Sequence, residues 1–218
     1  MAKHFQRELE KIKKSILSLG ALVEDRVRLA IKSIEKRDAD LAEQIVNMDY
    51  EIDEMEVDIE EECLKVLALH QPVAVDLRFL VSVIKINNDL ERIADETVNI
   101  AYRVKTISKN KDCKFIFDYA LMAEKASAML KMSLDAMVRL DTDMAFKVCL
   151  MDDDVDVFVQ GAYEQLKLFI CAMPENAGTL LNMFLISRHI ERIADHATNI
   201  AEEVIYVTDG EIVRHGKF

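Results

Sequence analysis

Apolar residues recur at three- and four-residue spacing along almost the whole chain, the signature of amphipathic helices with one buried face. Only five glycines and two prolines interrupt the pattern. The breaks they mark predict six long helices, at about 4–36, 39–69, 73–107, 116–138, 141–172 and 176–208. Asp38 and Asp141 stand where N-caps belong, Pro72 and Pro174 sit in turns, and Asn110-Lys111-Asp112 opens a linker. The expected fold is all-α: two three-helix bundles in tandem, residues 1–110 and 111–218, each built from antiparallel helices. A helix of some 30 residues is about 45 Å long, so each bundle is a rod.

The two halves repeat each other. Glu91-Arg92-Ile93-Ala94-Asp95 returns 100 residues later as Glu191-Arg192-Ile193-Ala194-Asp195, and Asn99-Ile100-Ala101 returns as Asn199-Ile200-Ala201. Upstream, Asp38, Leu41, Ala42, Val46, Asp49 and Asp53 match Asp141, Met144, Ala145, Cys149, Asp152 and Asp156 at an offset of 103. The second copy has therefore lost three residues, and the connection around Met173 and Pro174 is where a loop absorbs such a loss. Packing requires only apolar residues to repeat. Here carboxylates and an amide repeat as well.

On a helical wheel Leu90, Ile93, Ala94, Thr97, Ile100 and Ala101 span an arc of about 120°, the core stripe, and Glu91, Asp95 and Asn99 lie beside it. In the preceding helix Ile45, Met48, Ile52, Met55 and Ile59 form the stripe, with Asp49 and Asp53 on its flank. If these flanks meet, Asp49, Asp53, Glu91 and Asp95 converge in the first half and Asp152, Asp156, Glu191 and Asp195 in the second. Converging carboxylates repel unless protons or cations neutralise them, and all-oxygen ligation suits magnesium, calcium, manganese or ferric iron. Asn99 and Asn199 are secondary candidates. His189 and His196 fall away from the acidic flank, and the absence of Glu-x-x-His motifs argues against a ferritin-like di-iron site. Spacing alone leaves a second reading equally open, a structural polar seam in which Arg92 and Arg192 pair with neighbouring acids.

Charge and composition narrow the classes of function. With 28 basic and 40 acidic residues the net charge is −12, which repels nucleic acid and anionic lipid alike. No apolar run approaches the roughly 20 residues of a membrane span, and the first residues lack a signal-peptide core, so a cytoplasmic protein is expected. Cys63, Cys113, Cys149 and Cys171 have no metal or redox spacing and read as small hydrophobes. The eleven methionines read as core filling. Walker A, G-x-G-x-x-G and G-x-S-x-G motifs are missing, leaving an enzyme only the metal to work with.

Four segments together resemble one family over nearly the whole chain. They are Gln71-Pro72-Val73-Ala74-Val75-Asp76-Leu77-Arg78, the two Glu-Arg-Ile-Ala-Asp segments, and the ending from Asp195-His196-Ala197-Thr198-Asn199 to Thr208-Asp209-Gly210-Glu211. The chain is similar in these to PhoU proteins, the phosphate-signalling regulators of bacteria. The resemblance implies paired three-helix bundles whose E(D)-x-x-x-D motifs hold multinuclear metal clusters, of iron, magnesium, manganese or zinc, here at Asp49/Asp53, Glu91/Asp95, Asp152/Asp156 and Glu191/Asp195. It also implies a cytosolic, non-enzymatic adaptor and homodimer that restrains a phosphate-sensor histidine kinase and a phosphate ABC transporter when phosphate is plentiful. A metal-dependent phosphohydrolase and a metal-free helical scaffold are the alternatives. One departure is internal: Asn176 and Gly178 replace Asp76 and Arg78 of the Pro-x-x-x-Asp-Leu-Arg signature.

Overall fold

The computed structural model describes residues 2–110, 112–114 and 117–213, and all secondary structure among them is helical. The helices are α1 (Ala2–Lys36), α2 (Ala39–Asn47), α3 (Tyr50–His70), α4 (Ala74–Ile107), α5 (Tyr119–Arg139), α6 (Thr142–Ala172) and α7 (Ala177–Asp209), with a 3-10 turn at Pro174–Asn176. Helix α1 packs with α2, α3 and α4 in the first half, and α5 with α6 and α7 in the second. The two halves meet along α4 against α7 and α1 against α5. Met1, Lys111 and Ile116, on which a chain start, a linker and a helix start were expected, lie outside the described residues.

The first turn of each half is built in the same way. Helix α1 ends with Arg37 in the left-handed region (φ 47°) and the Asp38 N–H donating to the Ser33 carbonyl; α5 ends with Leu140 (φ 51°) and the Asp141 N–H donating to the Ala136 carbonyl. The next helix then starts on the aspartate. Asp38 Oδ1 accepts from the N–H groups of Asp40 (3.1 Å) and Leu41 (3.0 Å), and Asp141 Oδ1 accepts from that of Met144 (2.9 Å), as the N-cap expectation held.

The halves part company in two places. The expected helix 39–69 is interrupted: Met48, at φ −97° and ψ 0°, closes the first segment with its N–H on the Gln44 carbonyl at 3.1 Å, and beyond it the Ile52 N–H turns back to the Asp49 carbonyl at 2.9 Å in a tight i+3 bond. Its counterpart α6 runs unbroken past Asp152. The second difference is the connection before the last helix of each half. Gln71 (φ 46°) and Ala74 (φ 49°) shape the first, whereas Pro174–Asn176 replaces that turn with a 3-10 helix. The second connection, residues 173–176, is no shorter than the first, residues 71–73, so the loss of three residues falls on the helix ends that flank it, chiefly the start of α7.

One hydrophobic core runs through both halves. Leu90, Ile93, Ala94, Thr97, Ile100 and Ala101 are all buried, as are Ile190, Ile193, Ala194, Ala197, Ile200 and Ala201 a hundred positions on. At roughly 1.5–3 kcal/mol for each fully buried large aliphatic side chain, these two stripes are a major source of stability. Cys63, Cys113 and Cys149 are buried, and burial pushes the thiols of Cys63 and Cys149 up to about 12, which leaves them unreactive. Cys171 departs from the expectation and is exposed.

Candidate metal centres

Helices α3 and α4 lie side by side in the first half, and α6 and α7 do so in the second. The flanks predicted to carry acid therefore face one another. Burial raises the Asp49 carboxyl to about 6, and the charges of Asp53 and Asp95 add to it, while Arg26 pulls the other way. Glu91 is raised by burial and by Asp95, Asp53 and Glu56, against the opposing charge of Arg92. Asp95 is likewise raised by burial, against Arg92 and with Asp53. Asp49, Asp53, Glu91 and Asp95 thus sense one another across two helices.

The second quartet is more strongly perturbed. Burial, with Asp195 and Asp156 beside it, lifts Asp152 to about 6, and Thr198 partly offsets this. Glu191 is buried and reaches about 7, because its burial and its contacts with Asp195 and Asp156 outweigh the Arg188 guanidinium on its Oε2. Asp195 is raised by burial and Asp156, against His196, Arg188 and Arg192. An open groove of about 760 Å³, lined by Asp156, Tyr163, Phe184, Arg188 and Glu191 among others, gives access to this cluster from solvent.

The surroundings distinguish the two centres. Glu56 joins the first: burial, Glu60 and Asp53 raise its carboxyl, and Asn87 Nδ2 donates to its backbone oxygen at 2.8 Å. Sequence reasoning passed over Glu56, although it stands three residues after Asp53 on the same side of the helix. Its counterpart is Val159, which is buried, and the second centre has Arg188 where the first has Asn88. Asn99 is half-buried beside the first quartet, while Asn199 is exposed and donates to Asp89 Oδ1 at 3.1 Å across the junction of the halves.

The residues fit a hard cation. The donor sets are carboxylate oxygens; Glu91 Oε2 and Asp152 Oδ1 are buried without a hydrogen-bond donor, and Glu191 Oε2 is buried with only the Arg188 guanidinium against it. No three of these acids bring ligand atoms within 4.8 Å of one another; among the described residues such a trio occurs at His4, Glu8 and His70. The quartets are therefore spread sites, of a size for more than one ion or for a hydrated ion. The expected arginine seam is partly present: Arg92 Nε lies 3.6 Å from Glu91 Oε2, but Arg192 turns away to Glu96 Oε1 at 2.9 Å. The two histidines excluded as ligands also have other partners, His189 Nδ1 donating to Glu96 at 2.6 Å and His196 Nδ1 to Asp89 at 2.8 Å.

The chain is thus a duplicated helical bundle with an acidic cluster between the last two helical segments of each repeat. The PhoU domain matches this chain twice, at residues 16–104 and 119–204, and the chain belongs to the PhoU family. It is 36% identical over 216 residues to the phosphate-specific transport system accessory protein PhoU homolog of Pseudomonas aeruginosa, covering 99% of this chain and 89% of that one. The homolog of the same name from Aquifex aeolicus is 36% identical, with 96% and 95% covered. The crystal structure of PhoU from Pseudomonas aeruginosa superposes with a TM-score of 0.90 at 36% identity, over 95% of this chain and all of that one. The phosphate transport system regulatory protein PhoU from Streptococcus pneumoniae follows at 0.86 and 29% identity, with 96% and 99% covered.

Proposed function

We propose that this chain is a regulatory adaptor of phosphate transport, which lowers phosphate-regulon expression and phosphate uptake when phosphate is plentiful. The observation that carries the reading is its likeness, over nearly its whole length, to accessory proteins of phosphate-specific transport systems. By the same resemblance its partners are a phosphate-sensor histidine kinase and a phosphate ABC transporter, its location is cytoplasmic, it is a homodimer, and it is not an enzyme. No helix among the described residues is long and apolar enough to cross a membrane, so contact with membrane-bound partners would be made from the aqueous side. The net charge of −12 makes that contact protein to protein rather than protein to anionic lipid.

Asp49, Asp53, Glu91 and Asp95 would hold one metal centre, and Asp152, Asp156, Glu191 and Asp195 the other. A bound divalent or trivalent cation supplies the positive charge that lets these carboxylates ionise side by side. In each half one acid pair stands on the middle helical segments and the other on the last, so the quartet ties the two to a common geometry. Glu56 adds negative charge to the first centre and Arg188 subtracts it from the second, which gives the two centres unequal affinity for cations. The exposed faces of the helices that carry the acids are then presented to partners in a shape that depends on the ion.

Deletion of the gene, read with a phosphate-regulon reporter in phosphate-rich medium, tests the adaptor reading: output is expected to rise, and output that stays at its repressed level overturns it. Turnover of phosphate esters by purified protein with manganese or magnesium would overturn the non-enzymatic part alone.

A further inference from the structure

His4, Glu8 and His70 form a cluster that the acidic quartets do not involve. His4 and Glu8 are four residues apart in the first turns of α1 and so share a face, with His4 Nδ1 3.5 Å from Glu8 Oε1. His70, the last residue of α3, brings its Nε2 to 2.5 Å from Glu8 Oε2. The three ligand atoms lie within 4.8 Å of one another. Along α3, His70 is about 25 Å from Asp53 at about 1.5 Å per residue, so this cluster is separate from the first acidic centre.

We propose that His4, Glu8 and His70 form a zinc-class site that clamps the start of α1 to the end of α3. Two imidazoles and one carboxylate are the donor set of three-ligand zinc sites, with the fourth position left to water. The 3.5 Å between His4 Nδ1 and Glu8 Oε1 is close to the edge of about 3.3 Å expected for a tetrahedron with metal–ligand bonds of about 2.0–2.1 Å. The shorter His70–Glu8 pair is held by a proton, which a metal ion displaces as the two atoms part by about 1 Å. Phe5, whose ring centroid is 5.0 Å from that of His70, limits how the imidazole can turn. The C-terminal end of α3, where the helix dipole is negative, favours a cation at this point. Glu8 is 12% exposed and His70 21%, but His4 is 75% exposed, which opens the fourth position to solvent.

The test titrates chelator-stripped, full-length protein with Zn²⁺ and compares wild type with His4→Ala and His70→Ala, using elemental analysis of the bound metal and the thermal shift. Each variant is expected to bind one zinc fewer per chain, or to bind that zinc at least tenfold more weakly. Zinc held by the acidic quartets is common to all three proteins and drops out of the comparison. Because His4 is exposed, its removal leaves the fold intact and serves as the control against loss through misfolding. Loaded with Cu²⁺, the wild type should show nitrogen hyperfine coupling that both variants lose. Equal zinc stoichiometry and affinity in wild type and both variants, or copper spectra without histidine nitrogen, would overturn the site.

Discussion

Glu96 on α4 accepts a hydrogen bond from His189 on α7, Nδ1 to Oε2 at 2.6 Å, in the buried seam between the halves. Asp89 and His196 make the partner contact at 2.8 Å, and the duplication relates the two pairs with their roles exchanged: the acid of one stands where the histidine of the other does. As numbers rise along α4 their partners fall along α7, from Ser82 with Glu203 through Asp89 and Glu96 to Arg103 with Asn182, so the two helices run antiparallel across an approximate twofold axis. Burial alone would raise the Glu96 carboxyl, but the hydrogen bond and charge of His189 and the charge of Arg192 hold it below the usual glutamate range. A carboxyl depressed on folding contributes stability above its unfolded pKa, and this is lost as pH falls through the folded value. Glu96→Ala should cost about 3 kcal/mol, read as a lower urea midpoint at neutral pH, with the difference from wild type shrinking below about pH 4.

The quartets have the opposite dependence. Glu191 at about 7, and Asp49 and Asp152 at about 6, lie above their ordinary values of 4.5 and 3.8. The folded chain therefore binds more protons than the unfolded chain between about pH 4 and 7, and its stability falls as pH rises through that window. Chelator-treated protein should melt at least roughly 5 °C higher at about pH 5 than at about pH 8. Adding a divalent cation at the higher pH should recover the difference, because a ligand that binds only the folded state stabilises it. Scanning calorimetry at the two pH values, with and without the cation, measures both effects.

Glu91→Ala combined with Glu191→Ala removes one carboxylate from each quartet, and the metal retained per chain should fall. Folding should survive, since each substitution also removes repulsion. Elemental analysis alongside far-ultraviolet circular dichroism separates the two outcomes, and unchanged metal content would refute the ligand assignment.

Two helical glycines should respond in opposite directions. A Cβ on Gly20 of α1 would stand 2.8 Å from Leu134 Cδ2 of α5, where the halves meet, whereas a Cβ on Gly161 of α6 would meet nothing within 4 Å. Gly161→Ala should stabilise by about 1 kcal/mol, the difference in helix propensity. Gly20→Val should destabilise by about 1–3 kcal/mol through overpacking. Thermal melts of the two variants decide both.

Local chemistry made much of this molecule legible from the chain alone. The 3.6-residue period marks the helices, Asp38 and Asp141 cap theirs because an aspartate before an apolar run satisfies free N–H groups, and the repeat of Glu91/Asp95 as Glu191/Asp195 isolates polar residues that packing does not require. These depend only on neighbours within a few residues. Tertiary structure decided the rest. The interruption at Met48 carries neither glycine nor proline to announce it. The presence of Glu56 and Arg188 beside the quartets, the engagement of His189 and His196 across the junction, and the meeting of His4 with His70 all depend on how one helix is rotated and registered against another. Helical periodicity says which stripe is buried, but the register between helices is set by side chains distant in sequence interlocking in the core, and a single chain read in order does not contain that sum.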